Sequence, residues 1–195
     1  MSEKTPKNRR SLWLIGALCV APVVASYLAY YFLPPAGHTN YGELVNAPPL
    51  PAARLQLIDG TAFETSALRG KWILLMVDSA QCLEVCQRKL FTLRQLRLTQ
   101  GREMERVERA WLISDDGAVA PQLVDDFRGT RLLRAGGSGL VAALPAARPV
   151  TDYIYVIDPL GNVVLRYAQD AEPGRMIKDL TRLLKTSRIG YCTAD

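Results

Sequence analysis

The chain has 195 residues, 49% hydrophobic and 22% charged, with 14 Gly and 12 Pro, which excludes a disordered polyelectrolyte and a multipass membrane protein and leaves room for one ordinary domain. Lys4, Lys7, Arg9 and Arg10 against Glu3 carry most of the net charge of +5, so the basic balance belongs to the N-terminal tail and no nucleic-acid partner is expected. Four cysteines are too few for a disulfide-dense scaffold, so their placement carries the information.

From Leu12 to Leu33 the sequence runs LWLIGALCVAPVVASYLAYYFL without a charge. At about 1.5 Å per residue such a helix spans a hydrocarbon core of roughly 30 Å. The apolar run exceeds that of a secretory signal peptide, and Tyr27, Tyr30, Tyr31 and Phe32 form an aromatic belt at its far end. A retained, single-pass transmembrane helix over 12–33 is therefore expected, with Pro22 tolerated inside it. The positive residues precede it, so the tail 1–11 is placed in the cytoplasm and everything after Leu33 across the inner (plasma) membrane, in a bacterium the periplasm. That compartment permits disulfides.

Residues 34–53 hold Pro34, Pro35, Pro48, Pro49 and Pro51 with little apolar periodicity, which predicts a stiff stalk. A folded domain is expected over 54–187, with a tail at 188–195. Leu55, Leu57 and Phe63 around Asp59-Gly60 predict an entry hairpin. Trp72 to Val77 is a continuous apolar run of strand length, as in a strand buried on both faces. Leu83 to Leu98 carries apolar residues at helical spacing and stops at Gly101. A second buried strand is expected at Ala110 to Ile113, a short helix at Pro121 to Phe127, another strand at Arg131 to Ala135, and a helical turn or two at Leu140 to Leu144. Tyr153 to Ile157 and Val163 to Tyr167 enclose Asp158-Pro159-Leu160-Gly161-Asn162 as an antiparallel hairpin. After Glu172-Pro173-Gly174 a last helix presents Met176, Ile177, Leu180, Leu183 and Leu184 on one face. This order predicts an α/β fold: a thioredoxin-like mixed sheet with helices on both sides.

Cys82 and Cys86 follow the first buried strand and open the helix. Residues four apart share a helical face, so if the helix begins by residue 82 the sulfurs come within reach of one metal ion or of each other. The helix N-terminus favours thiolate over thiol. Two soft thiolates suit Cu(I), whereas structural zinc wants four ligands. The competing reading makes Cys86 a small hydrophobe beside Leu90 and Leu93.

The membrane anchor, the Pro-rich stalk, Leu68-Arg69-Gly70-Lys71-Trp72 entering the first core strand, the CxxxC at the helix head and the Tyr155-Val156-Ile157-Asp158-Pro159-Leu160-Gly161 hairpin together resemble the Sco/SenC family over most of the domain. The resemblance implies a membrane-anchored, thioredoxin-fold copper chaperone or thiol reductase that helps build the copper site of cytochrome c oxidase. It makes Cys82 and Cys86 the thiolate ligands or redox thiols, and implies as partners the oxidase subunits or another copper or thiol assembly factor. The sequence departs from the family pattern in two ways: Leu83 and Gln87, not Pro, follow the cysteines, and the position of the family's third copper ligand, a His, counted back from Asp158, is Val150.

The single His, His38, lies in the stalk and is read as solvated; Met76 and Met104 are read as packing or surface, Cys19 as packing in the membrane helix, and Cys192 as a free terminal thiol. Asp78 and Glu84 are read as solvated. Asp152 stands where thiol oxidoreductases place a cis-Pro, with Pro149 slightly upstream. The expected function is thus a periplasm-facing Sco-like assembly protein. In the copper version both sulfurs hold Cu(I); in the redox version Cys82, the more exposed, attacks a disulfide and Cys86 resolves it. The alternative is a non-catalytic thioredoxin-fold scaffold that docks a membrane partner.

Overall fold

A computed structural model describes residues 8–32 and 40–187. The chain divides into two compact units, Met1–Thr39 and Asn40–Asp195. The first contains helix α1 (Asn8–Phe32), with Pro22 inside it. Its stretch Ser11–Ala29 is long and apolar enough to cross a membrane. None of that stretch is buried against protein, as suits a helix apolar on all sides.

The second unit is built on one mixed sheet of eight strands in the order β1-β8-β7-β4-β5-β6-β2-β3. The strands are β1 (Glu43–Leu44), β2 (Arg54–Leu57), β3 (Ala62–Glu64), β4 (Trp72–Asp78), β5 (Val107–Ile113), β6 (Thr130–Arg134), β7 (Tyr153–Ile157) and β8 (Val163–Ala168). β4, β5 and β6 are parallel, and β7 runs antiparallel to β4. Both predicted hairpins form. β2 pairs with β3 across Asp59-Gly60, where Gly60 takes a positive φ that a side chain would resist. β7 pairs with β8 across a turn in which Asp158 accepts the N–H groups of Leu160 and Asn162.

β4 explains why the apolar run lacks alternation. Trp72, Leu74 and Met76 enter one core while Ile73, Leu75 and Val77 enter the other, so both faces are dry. Each such burial contributes about 2 kcal/mol. The first core is closed by α2 (Glu84–Leu98), α3 (Pro121–Asp126) and α4 (Pro173–Thr186), through residues such as Leu90, Leu123 and Leu180. Among the described residues no α-helix covers the second core, against the expectation of helices on both sides. It is closed by the 3-10 turn Thr65–Leu68, by Leu140 and Leu144, and by Leu50 and Ala53. The segment at 140–144 is a set of hydrogen-bonded turns.

The stalk expected over 34–53 is corrected from Asn40 onward. β1 pairs with β8, where the Arg166 guanidinium grips the Glu43 carboxylate through two bonds of 2.7 Å. Leu50 N–H donates to Gly161 O at 2.9 Å. Tyr41 and Gly42 donate their N–H groups to Asp179 Oδ2 at 2.8 Å each. Proline content signals an extended backbone, but an extended backbone can lie along a sheet edge as well as in solvent.

Candidate functional site

The cysteine pair stands where β4 ends and α2 begins. α2 starts at Glu84 with Leu83 as its N-cap residue, so Cys82 lies outside the helix and Cys86 within its first turn. This departs from a helix beginning by residue 82. The sulfurs meet because Cys82 adopts a left-handed backbone, φ +38°, alone among the described non-glycine residues. That conformation is costly for an L-residue with a side chain. Cys82 N–H donates to Ser79 O at 3.2 Å, and Gln87 Nε2 donates to Cys82 O at 3.0 Å, holding the residue in place from both sides.

Cys82 and Cys86 form a disulfide, with Cα atoms 5.0 Å apart. Their relative exposures are 0% and 2%. The expectation that Cys82 is the more exposed thiol is therefore corrected: the loop folds its sulfur inward onto the core that contains Ala80 and Leu90. Leu83, between the two, is 69% exposed.

One turn after Cys86 on α2 stands Lys89, with no exposed surface. Cys86, Lys89, Leu90 and Leu93 share the buried face of α2, and long helical side chains lean toward the N-terminus, which brings the ammonium to the end of β4. Nζ donates to Asp78 Oδ2 at 2.8 Å, to Val77 O at 3.1 Å and to Thr151 O at 2.6 Å. All three donors of the ammonium are used. Asp78, expected to be solvated, is thus an ion-pair partner and also accepts Ser79 N–H through Oδ1. Asp115 holds the loop from its far side by accepting the N–H groups of Ala80 and Gly117.

Sequence reading missed Lys89 and Asp115, and took Gln87 only as a residue standing where the resembled family has Pro, not as the donor to Cys82 O. The legible signal was a Lys inside an apolar stripe, since a buried ammonium requires acceptors. Val150 stands in the 3-10 turn Val150–Asp152 and packs on the second core, while the carbonyl next to it faces Lys89. Among the described residues no group of three or more His, Cys, Asp or Glu side chains is placed to hold a metal ion. While the disulfide is closed, neither sulfur is a thiolate ligand.

Met76 is buried in the first core, and Met104 is half-buried in the 3-10 turn Gly101–Arg106. Cys19 is free on α1. Glu84 is exposed and pairs with Arg88 at 3.1 Å. His38 and Cys192 lie outside the described residues.

A family model described as transmembrane-like, thioredoxin-like, C-terminal domain matches residues 72–187. Among solved structures the chain is similar to yeast Sco1 with copper bound, at 17% identity over 72% of this chain and 91% of that one, with a TM-score of 0.59. It is similar to Bradyrhizobium japonicum ScoI with copper bound at 18% identity over 69% and 99% of the chains, with a TM-score of 0.54. A SCO1/SenC family lipoprotein from Bacillus anthracis matches at 19% identity over 72% and 97%, also with a TM-score of 0.54. These likenesses establish the thioredoxin-like fold. No curated protein matches the chain.

Proposed function

Because this chain belongs to the transmembrane-like, thioredoxin-like C-terminal domain family, we propose that it is a membrane-anchored, periplasm-facing, Sco-like protein that assists cytochrome c oxidase assembly through thiol-disulfide exchange at Cys82 and Cys86. One observation carries this reading: the two cysteines are joined in a disulfide at the head of α2, with Cys86 in the first helical turn. The unpaired N–H groups of that turn stabilise a thiolate when the bond opens, which favours the reduced pair and eases reduction of the disulfide. The copper-bound Sco neighbours and the apolar helix α1 support the setting.

In the direction that prepares a copper site, the reduced pair acts on a disulfide of the client. The Cys82 thiolate attacks one client sulfur, the client S–S bond breaks, and the client's other sulfur leaves as thiolate and takes a proton. Cys86, deprotonated, then attacks Cys82 Sγ of the mixed disulfide and releases the second client thiol. The client gains two electrons and two protons, and the Cys82–Cys86 disulfide re-forms for reduction by a dithiol reductant of the envelope. Cys82 is assigned the attack because it lies outside the helix, on the loop that must open to bring either buried sulfur to a client, while Cys86 is fixed in the helix.

Cu(I) is a cargo of the same pair. Two thiolates suit this soft ion at low coordination number. The donor set ends at the two sulfurs among the described residues, which fits an ion in transit rather than a three-ligand site. Burial of both sulfurs favours the second reading, a scaffold with a static disulfide.

Thiol alkylation of the purified full chain across a graded series of dithiothreitol, followed by Cu(I) titration of the reduced protein, tests the proposal. Release of two thiols in one step, reversed by a disulfide donor, is expected. Tight stoichiometric copper would give the leading role to cargo binding, and a pair inert to reductant in the folded protein would leave the scaffold.

A further inference from the structure

We infer that Arg94, Arg97, Arg109 and Thr130 form a binding site for a small oxyanion, a phosphate- or sulfate-like group, on the helix-covered face of the sheet. Arg109 lies on β5 between Val107 and Trp111, both of which enter the core beneath α2, so strand alternation carries its side chain into the same layer. It is 4% exposed. Nη2 donates to Arg128 O at 2.7 Å, whereas Nε and Nη1 are buried with no partner. Directly across the parallel ladder stands Thr130, 8% exposed, whose hydroxyl is also buried without a partner.

Two more guanidiniums reach this place from α2. Arg97 Nε donates to Val107 O at 2.7 Å, two residues before Arg109 on β5. Arg94 Nη1 donates to Asp126 O at 3.1 Å, in the turn whose Arg128 carbonyl Arg109 holds. Among the described residues none of the three arginines pairs with a carboxylate. Burial draws the Arg109 guanidinium down to about 10, and the charges of Arg97 and Arg94 act in the same direction. Gly129, with φ +79°, leaves space for it: a Cβ there would stand 3.1 Å from Nη2.

A buried cation among cations is unfavourable until an anion joins it. The free donors are the separate Nε and Nη1 N–H groups of Arg109, a hydroxyl and the remaining N–H groups of two further forks. That set exceeds what a planar carboxylate accepts and suits the several oxygens of a tetrahedral oxyanion. Arg109 and Thr130 lie toward the starts of β5 and β6, while the disulfide follows the end of β4, parallel to both. The site therefore stands apart from the thiol chemistry and does not depend on it.

The free anion and the headgroup of an anionic phospholipid share this chemistry. The test is titration calorimetry of inorganic phosphate into the full chain in nanodiscs of phosphatidylcholine alone. One saturable site is expected, weakened about tenfold or more in Arg97→Gln and in Arg94→Gln. Arg97 is half-buried and Arg94 exposed, and an unchanged thermal midpoint without phosphate shows that both variants fold. Discs doped with phosphatidylglycerol separate the sources: weaker phosphate binding there by the wild type, but not by Arg97→Gln, identifies the headgroup, and equal binding identifies a soluble oxyanion. Absence of saturable binding in phosphatidylcholine discs, or binding undiminished in both variants, overturns the proposal.

Discussion

Lys89 Nζ stands 2.8 Å from Asp78 Oδ2, in a contact that ties the end of β4 to the helix carrying Cys86. Through Thr151 O the same ammonium also holds the turn before β7. Lys89→Met removes the charge, leaves Asp78 and two carbonyls without their donor, and is expected to lower stability by about 3 kcal/mol in urea unfolding. Adding Asp78→Asn recovers part of that loss. A change within experimental error for Lys89→Met alone would show that the ion pair does not hold the site together.

Gln87 clamps Cys82 through its carbonyl, opposing the strain of a left-handed residue. One hydrogen bond of about 1 kcal/mol corresponds to roughly a fivefold change in an opening equilibrium. Gln87→Ala is therefore expected to speed reduction of the disulfide by dithiothreitol about fivefold, followed by stopped alkylation. Gln87→Glu keeps the size but removes the donor, and should behave like Ala.

Glu108 bridges Lys71 at 2.8 Å and Arg131 at 2.6 Å. Burial alone raises its carboxyl, but the hydrogen bonds from Arg131 and Lys71 outweigh that and hold it below the ordinary value of 4.5. The folded state therefore favours the charged form. Its stabilisation is complete above about pH 4.5 and is lost as pH falls through the lowered folded value. Glu108→Gln should flatten this part of the acid limb, by about 1 kcal/mol given the half-exposed partners. Thermal midpoints from pH 7 down to pH 3 check the slope.

Asp179 is a buried carboxylate that accepts Tyr41 N–H and Gly42 N–H, with Tyr167 Oη donating to it at 3.2 Å. Burial, and then the charge and hydrogen bond of Asp179, push the Tyr167 hydroxyl far above its ordinary value, so it remains a donor. Asp179→Ala is expected to cost about 3 kcal/mol and to release amide protection over 41–44 in hydrogen exchange. Tyr167→Phe, which removes one donor of three, should cost about 1 kcal/mol and leave that protection largely in place.

The sequence by itself determined what depends on neighbours a few residues away. The unbroken run from Trp72, the 3.6-residue spacing from Leu83 and the Asp-Gly and Asp-Pro-Leu-Gly-Asn turns specify their elements through local sterics and face periodicity, and they place Cys82 and Cys86 at one strand-helix junction. Tertiary structure decided whatever needed a partner distant in the chain. Asn40 onward became part of the sheet unit because β8 and Asp179 accept it. Lys89 became buried because Val77, Asp78 and Thr151 supply acceptors. Cys82 turned inward because Gln87 and Ser79 hold a backbone that its own residue type disfavours. Periodicity shows which face a residue occupies, but only the assembled neighbours set the desolvation and hydrogen bonding it meets there.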